Sequence, residues 1–275
     1  MSRSKPTPKR RLLQVGSHRP ELSLLVDRLC LGDRRALARA ITLVENHLPA
    51  DPGLTEIWAP ALAGSSMSAR LVGITGPPGA GKSTLVSTLV GCIREESLTV
   101  GVVAVDPASP LTGGAMLGDR IRMQSHFTDP GVFIRSMSTR GHLGGVARAT
   151  RAVTELLALA DFQVVLVETV GVGQSEVEVM RVTPTVVVVV NPGMGDSVQA
   201  DKAGLFEIGG VFCVNKADQD GADRAVRVLR QMLSLGYRPG PTPQVLTTVA
   251  TEGEGIPRLW EAIVAHGDHL SAIRQ

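Results

Sequence analysis

The spacing of apolar positions divides the chain into two regimes. Leu37, Ile41, Val44 and Leu48 follow one another at intervals of four, three and four, one face of a 3.6-residue period, and Asp33 stands where a cap is needed. An apolar segment opened by Pro20 and Glu21 runs to Leu31, and Gly32-Asp33 separates the two, so the pattern predicts a helical hairpin. Residues 49–69, with Pro49, Pro52, Gly53, Pro60 and Gly64, read as a connector with room for a short helix around Ile57 and Trp58, and a subdomain boundary is expected there. From Arg70 onward short β-branched runs at 71–75, 100–105, 132–136, 163–168, 185–190, 211–214 and 244–248 alternate with helical patterns near 82–95, 146–160, 199–208, 222–235 and 257–265. Strands that are apolar on both faces and separated by helices predict an α/β fold, a mostly parallel sheet covered on both sides.

Charge and composition narrow the function classes. The 275 residues carry 28 Lys and Arg against 26 Asp and Glu. Six of the basic residues and no acid fall in the first twenty, so the body from residue 21 is mildly acidic. With two Trp, one Tyr and five Phe, such a body is poorly suited to a polyphosphate track or a base-stacking platform, and no nucleic-acid partner is expected. The longest strictly apolar runs, such as Val186–Val190, fall far short of the roughly 20 residues that span a bilayer. The basic N-terminus has no apolar core, so residues 1–19 are expected to be a disordered basic tail and no secretory signal. Cys30, Cys92 and Cys213 are isolated, which fits a reducing, cytoplasmic location and no cysteine-based zinc site.

Candidate chemistry begins where the first strand ends. Leu71-Val72-Gly73-Ile74-Thr75 runs into Gly76-Pro77-Pro78-Gly79-Ala80-Gly81-Lys82-Ser83, followed by the helical Thr84-Leu85-Val86. This is G-x-x-x-x-G-K-[ST] in its strand-loop-helix setting, a P-loop. Glycines let backbone N–H groups turn toward phosphate oxygens, the helix N-terminus adds its positive end, Lys82 supplies a point charge and Ser83 a hydroxyl for Mg²⁺. Residues Gly76 through Thr84 are therefore the expected phosphate-binding set. Two further strands end in acids, Asp106 and Glu168, as a Mg²⁺ site at the carboxyl edge of a parallel sheet requires. Either acid alone reads as a cap or a surface charge. Following a P-loop in order, with Glu168-Thr169-Val170-Gly171 where many GTPases carry D-x-x-G, both become metal candidates, and Lys82, Asp106 and Glu168 are the expected catalytic residues.

A later strand, Val211–Val214, leads into Asn215-Lys216-Ala217-Asp218. A carboxylate at Asp218 can accept N1–H and the 2-amino group of guanine, which adenine does not offer in that geometry, and the stem of Lys216 can lie over the ring. Thr247-Thr248-Val249-Ala250 follows the next strand as a second base contact, with Val249 and Ala250 as the residues at the base. GTP is expected over ATP, and residues 70–275 are expected to form one P-loop GTPase domain behind a helical segment at 20–69.

Other stretches are more specific. Asp106-Pro107-Ala108-Ser109-Pro110, Thr112-Gly113-Gly114, Gly118-Asp119-Arg120-Ile121-Arg122-Met123 and Arg135 through Gly145 closely resemble the MeaB/ArgK/MMAA family of P-loop GTPases, as do Glu168 through Glu176 and Pro192-Gly193-Met194-Gly195-Asp196 with Gln199, Lys202 and Gly204. The resemblance covers about Leu22 to the end. It implies a chaperone for an adenosylcobalamin-dependent acyl-CoA mutase, chiefly methylmalonyl-CoA mutase, that uses GTP hydrolysed to GDP to gate cofactor delivery and protect the mutase. It also implies that Asp106, Asp119 and Glu168 surround Mg²⁺ with Ser83, that 107–145 and 169–182 contain two switches, and that 192–204 is a further mobile loop. Members usually continue into a C-terminal arm that helps build a homodimer. This sequence stops at Gln275, so the resemblance does not extend to the arm and a homodimer is only weakly implied.

Two other functions share parts of the pattern. A metal-insertion GTPase of the nickel or cobalt type generally adds a His-rich tail or clustered cysteines, and the six histidines here are scattered. A phosphotransferase acting on protein or small molecule needs an acceptor site that the sequence does not reveal.

Overall fold

The computed structural model describes residues 18–48, 51–64, 69–106, 123–138, 143–169, 180, 182–194, 207–235 and 242–274. At its centre is a seven-stranded sheet, all of whose strand pairs are parallel, in the order β3-β2-β4-β1-β5-β6-β7. The strands are β1 (Arg70–Thr75), β2 (Val100–Asp106), β3 (Val132–Ser138), β4 (Val164–Thr169), β5 (Thr185–Val190), β6 (Val211–Asn215) and β7 (Gln244–Thr248). Each lies at a run expected from sequence. The helices bounded within the described residues are α1 (Arg19–Leu29), α2 (Arg34–His47), α3 (Ala59–Gly64), α4 (Lys82–Glu95), α5 (Leu143–Leu159), α6 (Ala222–Leu235) and α7 (Ile256–Arg274). The expected helix at 199–208 lies almost wholly outside the described residues, of which 207–208 are helical.

Period-two alternation sorts the strand side chains onto two apolar layers. Val72, Ile74, Val102, Leu166, Val187 and Val189 face α4 and α7, together with Leu85, Leu89, Ile93, Leu259 and Ile263. Val103, Val105, Val165, Val167, Val188 and Val214 face the opposite layer, which holds the buried sides of α5, α6 and both N-terminal helices. A sheet buried on both faces needs near-continuous β-branched strands, and β5 is Thr185 followed by five valines, all buried.

The second N-terminal helix forms where the sequence caps it. Asp33 accepts hydrogen bonds from Arg35 N and Ala36 N at the start of α2, while Leu37, Ile41 and Val44 turn inward. These side chains join the same apolar cluster as one face of the sheet. Polar contacts fasten α2 to the edge strand β3: Arg135 pairs with Glu45, and the Arg34 guanidinium donates to the carbonyls of Pro130 and Val132. Between α2 and β1 the chain makes a 3-10 helix, Pro52–Ile57, and then α3. Trp58 at their junction is fully buried, and its Nε1 donates to Glu155 of α5 at 2.9 Å.

The last helix runs past the expected 257–265 to Arg274. Its distal turns lack an apolar stripe that would reveal them. Arg70 of β1 supplies their tether instead, donating to the Val264 carbonyl at 3.0 Å and to Asp268 at 2.7 Å.

Candidate functional site

The site is built at the carboxyl edge of the sheet, where β1, β4, β5 and β6 end together, the edge at which parallel α/β sheets bind ligands. The loop after β1 is confined by its neighbours. At Gly76 φ is +143°, and a Cβ there would stand 1.9 Å from the Val189 carbonyl oxygen of β5, so a side chain is excluded. Gly81 caps α4 at φ +86°, and a Cβ there would come within 2.4 Å of Asn215 Nδ2. Between them Pro77 and Ala80 are buried, and Pro78 and Gly79 form the exposed crown.

Lys82 and Ser83 open α4 and are both buried, with Thr84 half-buried beside them. The Lys82 ammonium curls back over the loop, donating to the carbonyls of Gly76 at 2.8 Å and Pro77 at 3.1 Å. Together with the positive end of the α4 dipole it makes this corner positive, a setting that can hold a chain of phosphates. Ser83 Oγ donates to Glu168 Oε1 at 2.7 Å, and Glu168 is fully buried near the end of β4, in register with Ile74 of β1 and Ala104 of β2. The strand order explains the meeting: β1 and β4 are adjacent, so a residue after one and a residue ending the other share a corner. Asp106 closes β2 in register with Ser138 of β3, two positions beyond the level of Glu168. Asp119 lies outside the described residues, as do most of the residues of 107–145, 169–182 and 192–204 between their described pieces.

On the other side of the loop the 215–218 turn meets the 248–250 turn. Asn215 is buried and uses both ends of its amide: Nδ2 donates to the Ala80 carbonyl at 2.9 Å, and Oδ1 accepts from Thr248 Oγ1 at 3.0 Å and Ala250 N at 3.1 Å. Lys216 follows in the left-handed region at φ +59°, and its Cε comes 3.8 Å from the position a Gly81 Cβ would take. Such a conformation in a bulky residue marks a turn held by its surroundings, and the Ala217 N–H donating to the Thr248 carbonyl at 3.0 Å supplies one hold. Asp218 is exposed, with Val249 and Ala250 buried beside the turn. Burial pushes the Cys213 thiol up to about 12, so the thiol stays protonated beneath this site, against Thr248 Oγ1 at 3.1 Å.

Hydroxyl bridges between these motifs were not singled out from sequence. Thr169 Oγ1 donates to Thr75 Oγ1 at 3.2 Å across β4 and β1, Thr248 holds Asn215, and Thr88 of α4 reaches Ala250. Their one available signal is position, each being a threonine at or just past the end of a strand or on the first turns of the P-loop helix. Among the described residues no group of three or more His, Cys, Asp or Glu is arranged to hold a metal ion, and no helix is long and apolar enough to cross a membrane.

The family model described as methylmalonyl Co-A mutase-associated GTPase MeaB matches residues 37–274. A Pyrococcus horikoshii protein carrying a GTPase designation is 52% identical over 250 residues, covering 90% of this chain and 78% of its own length. GTPase ArgK of Escherichia coli is 37% identical over 257 residues, covering 90% and 76%. The crystal structure of an LAO/AO transport system kinase superposes with a TM-score of 0.72 at 32% identity, over 92% of this chain and 77% of that one. A sequence match that runs from α2 to the end of α7 takes in the P-loop, the buried Ser83 and Glu168 pair and the 215–218 turn alike. The chain therefore belongs to the methylmalonyl Co-A mutase-associated GTPase MeaB family, and is a GTPase with a P-loop NTPase fold.

Proposed function

We propose that the chain is a GTP-hydrolysing chaperone that gates the loading and protection of an adenosylcobalamin-dependent acyl-CoA mutase. The match of residues 37–274 to a family named for its association with methylmalonyl-CoA mutase carries this reading.

Within it, the residues take roles that follow from their chemistry. The N–H groups from Gly76 to Thr84 and the Lys82 ammonium hold the phosphates of GTP, with Lys82 exchanging its two carbonyl partners for phosphate oxygens. Asp218 and Lys216 select guanine, with Val249 and Ala250 lining the base. Asn215 keeps the two loops in register. Ser83 and Glu168 present hard oxygen donors in a buried corner, which is the donor chemistry a magnesium ion requires, and with Asp106 and Asp119 they are the residues that would hold it. The metal supplies charge neutralisation of the phosphates when bound. Lys82, Asp106 and Glu168 act at the reacting phosphate, by positioning and electrostatics and without a covalent step.

Hydrolysis is then coupled to the client through segments 107–145, 168–182 and 192–204. A mutase that grips them binds the GTP and GDP forms with different affinities, and by linkage shifts the protein's relative affinity for the two nucleotides. GTP turnover measured with and without the acyl-CoA mutase of the same organism, apo and cofactor-loaded, tests this. Stimulation is expected, and Gln199 or Lys202 substitutions should reduce it more than they reduce basal turnover. Absence of both stimulation and nucleotide-dependent binding overturns the chaperone reading.

A further inference from the structure

Thr88 lies on the second turn of α4, seven residues into the helix that starts at the P-loop. A threonine inside a helix ordinarily turns its hydroxyl back to the carbonyl four residues earlier, and Thr84 O is there at 3.1 Å. A second acceptor is nearer: the Ala250 carbonyl, 162 positions away in sequence, stands 2.7 Å from Thr88 Oγ1. The hydroxyl has one proton, and the shorter contact takes the larger share of it. The methyl branch leans the same way, with Thr88 Cγ2 lying 3.9 Å from where a Cβ on Gly253 would be.

Ala250 is thereby held at both of its peptide groups. Its N–H donates to Asn215 Oδ1 at 3.1 Å, and its carbonyl accepts from Thr88. The turn around it is closed by Val249 N donating to Glu254 O at 3.0 Å and Glu252 N donating to Val249 O at 3.0 Å. A turn closed on itself can still move as a body. The Thr88 bond ties it to α4, the element whose first residues are Lys82 and Ser83.

We infer that Thr88 is a positioning residue for guanine, acting through the Ala250 turn. It fixes the distance between the base end and the phosphate end of the site by fastening both to one rigid helix, so that base recognition and phosphate binding are satisfied together. The inference deepens, and rests on, the reading of 215–218 and 249–250 as the guanine site. Its chemistry is confined to the hydroxyl: Thr88→Ser keeps the donor, and Thr88→Val keeps the shape and removes it.

The test is nucleotide affinity in the full chain. Losing one half-buried hydrogen bond to a carbonyl left without that donor predicts that Thr88→Val raises KM for GTP and Kd for GDP by about fivefold, more than it lowers kcat. Thr88→Ser should return both to parental values. Inorganic tripolyphosphate, which has no base, should compete equally well against parent and Thr88→Val. A GTP affinity within roughly twofold of the parent in Thr88→Val overturns the inference, since that is below the usual effect of losing an intramolecular hydrogen bond. So does an equal loss for GTP and tripolyphosphate, which would move the effect to the phosphate end, or a Thr88→Ser as weak as Thr88→Val. If Thr88→Val does not fold, Thr88→Ala carries the same comparison. Asp218→Asn is the control for the reading beneath it: an amide should weaken GTP and favour xanthosine triphosphate. Unchanged base preference there defeats the guanine site itself, whereas a changed preference with an unaffected Thr88→Val defeats the role of Thr88 alone.

Discussion

Asn215 spans the boundary between two loops of the site, donating to the Ala80 carbonyl of the P-loop at 2.9 Å while its other amide end accepts from Thr248 and Ala250. Three elements that are far apart in sequence thus share one buried side chain. Asn215→Ala leaves a carbonyl, a hydroxyl and an N–H without that partner, and destabilisation of about 3 kcal/mol is expected from orphaned buried groups, with a matching fall in GTP affinity. Denaturant unfolding with and without GDP measures both. A change below about 1 kcal/mol would show that water replaces the amide.

Lys82→Ala should separate binding from folding. The ammonium is buried against loop carbonyls and takes no part in either apolar layer, so circular dichroism should be unchanged. A charge-assisted contact to phosphate is worth about 1.5–3 kcal/mol, and a loss of about a hundredfold in affinity for a fluorescent GTP analogue is expected. A folded variant that binds like the parent refutes the phosphate role.

Glu168→Gln keeps an acceptor for Ser83 Oγ and removes a charge. If Glu168 helps hold magnesium, half-maximal hydrolysis should need about tenfold more Mg²⁺, while nucleotide affinity in EDTA changes little. A parental magnesium titration would leave the Ser83 contact with a structural role only.

Acid should loosen the N-terminal helices first. The Arg19 guanidinium holds the Asp51 carboxyl below the usual carboxylate range, with hydrogen bonds of 2.9 and 3.1 Å, and the Ala36 N–H and then Arg28 do the same for Asp33. A carboxyl whose folded pKa is lowered adds stability that is fully present above its unfolded value, about 3.9, and disappears as pH falls through the folded value. The Tm gap between the parent and Asp51→Asn should hold constant above about pH 5 and close as pH drops below about 4. A gap that does not change at all on acidification would mean that the charge of Asp51 is irrelevant.

The layout of the sheet was legible because the strands are short runs rich in β-branched residues and bounded by turn residues, and an inner one such as Val186–Val190 is apolar enough to be buried on both faces. Lys82, Ser83 and Glu168 could be placed at one corner because the edge of a parallel sheet gathers strand ends whatever their distance in sequence. The far half of α7 was not visible, since Arg70 and not an apolar stripe holds it. Thr88 was invisible as a site residue for a different reason, as was the bond from Thr248 to Asn215 within the expected 247–250 contact: a threonine hydroxyl finds its partner only once two remote turns have met.

The fastening of α2 to β3 has a consequence for how the chain avoids its own kind. β3 is an outer strand, and an outer strand normally offers bare backbone to any other extended chain. Here the carbonyls of Pro130 and Val132 already receive the Arg34 guanidinium, and Arg135 on the strand is engaged by Glu45. A stray strand approaching the start of this side finds the Val132 carbonyl taken by a planar cation that cannot propagate a ladder, so the helical hairpin obstructs strand addition at that end of the edge.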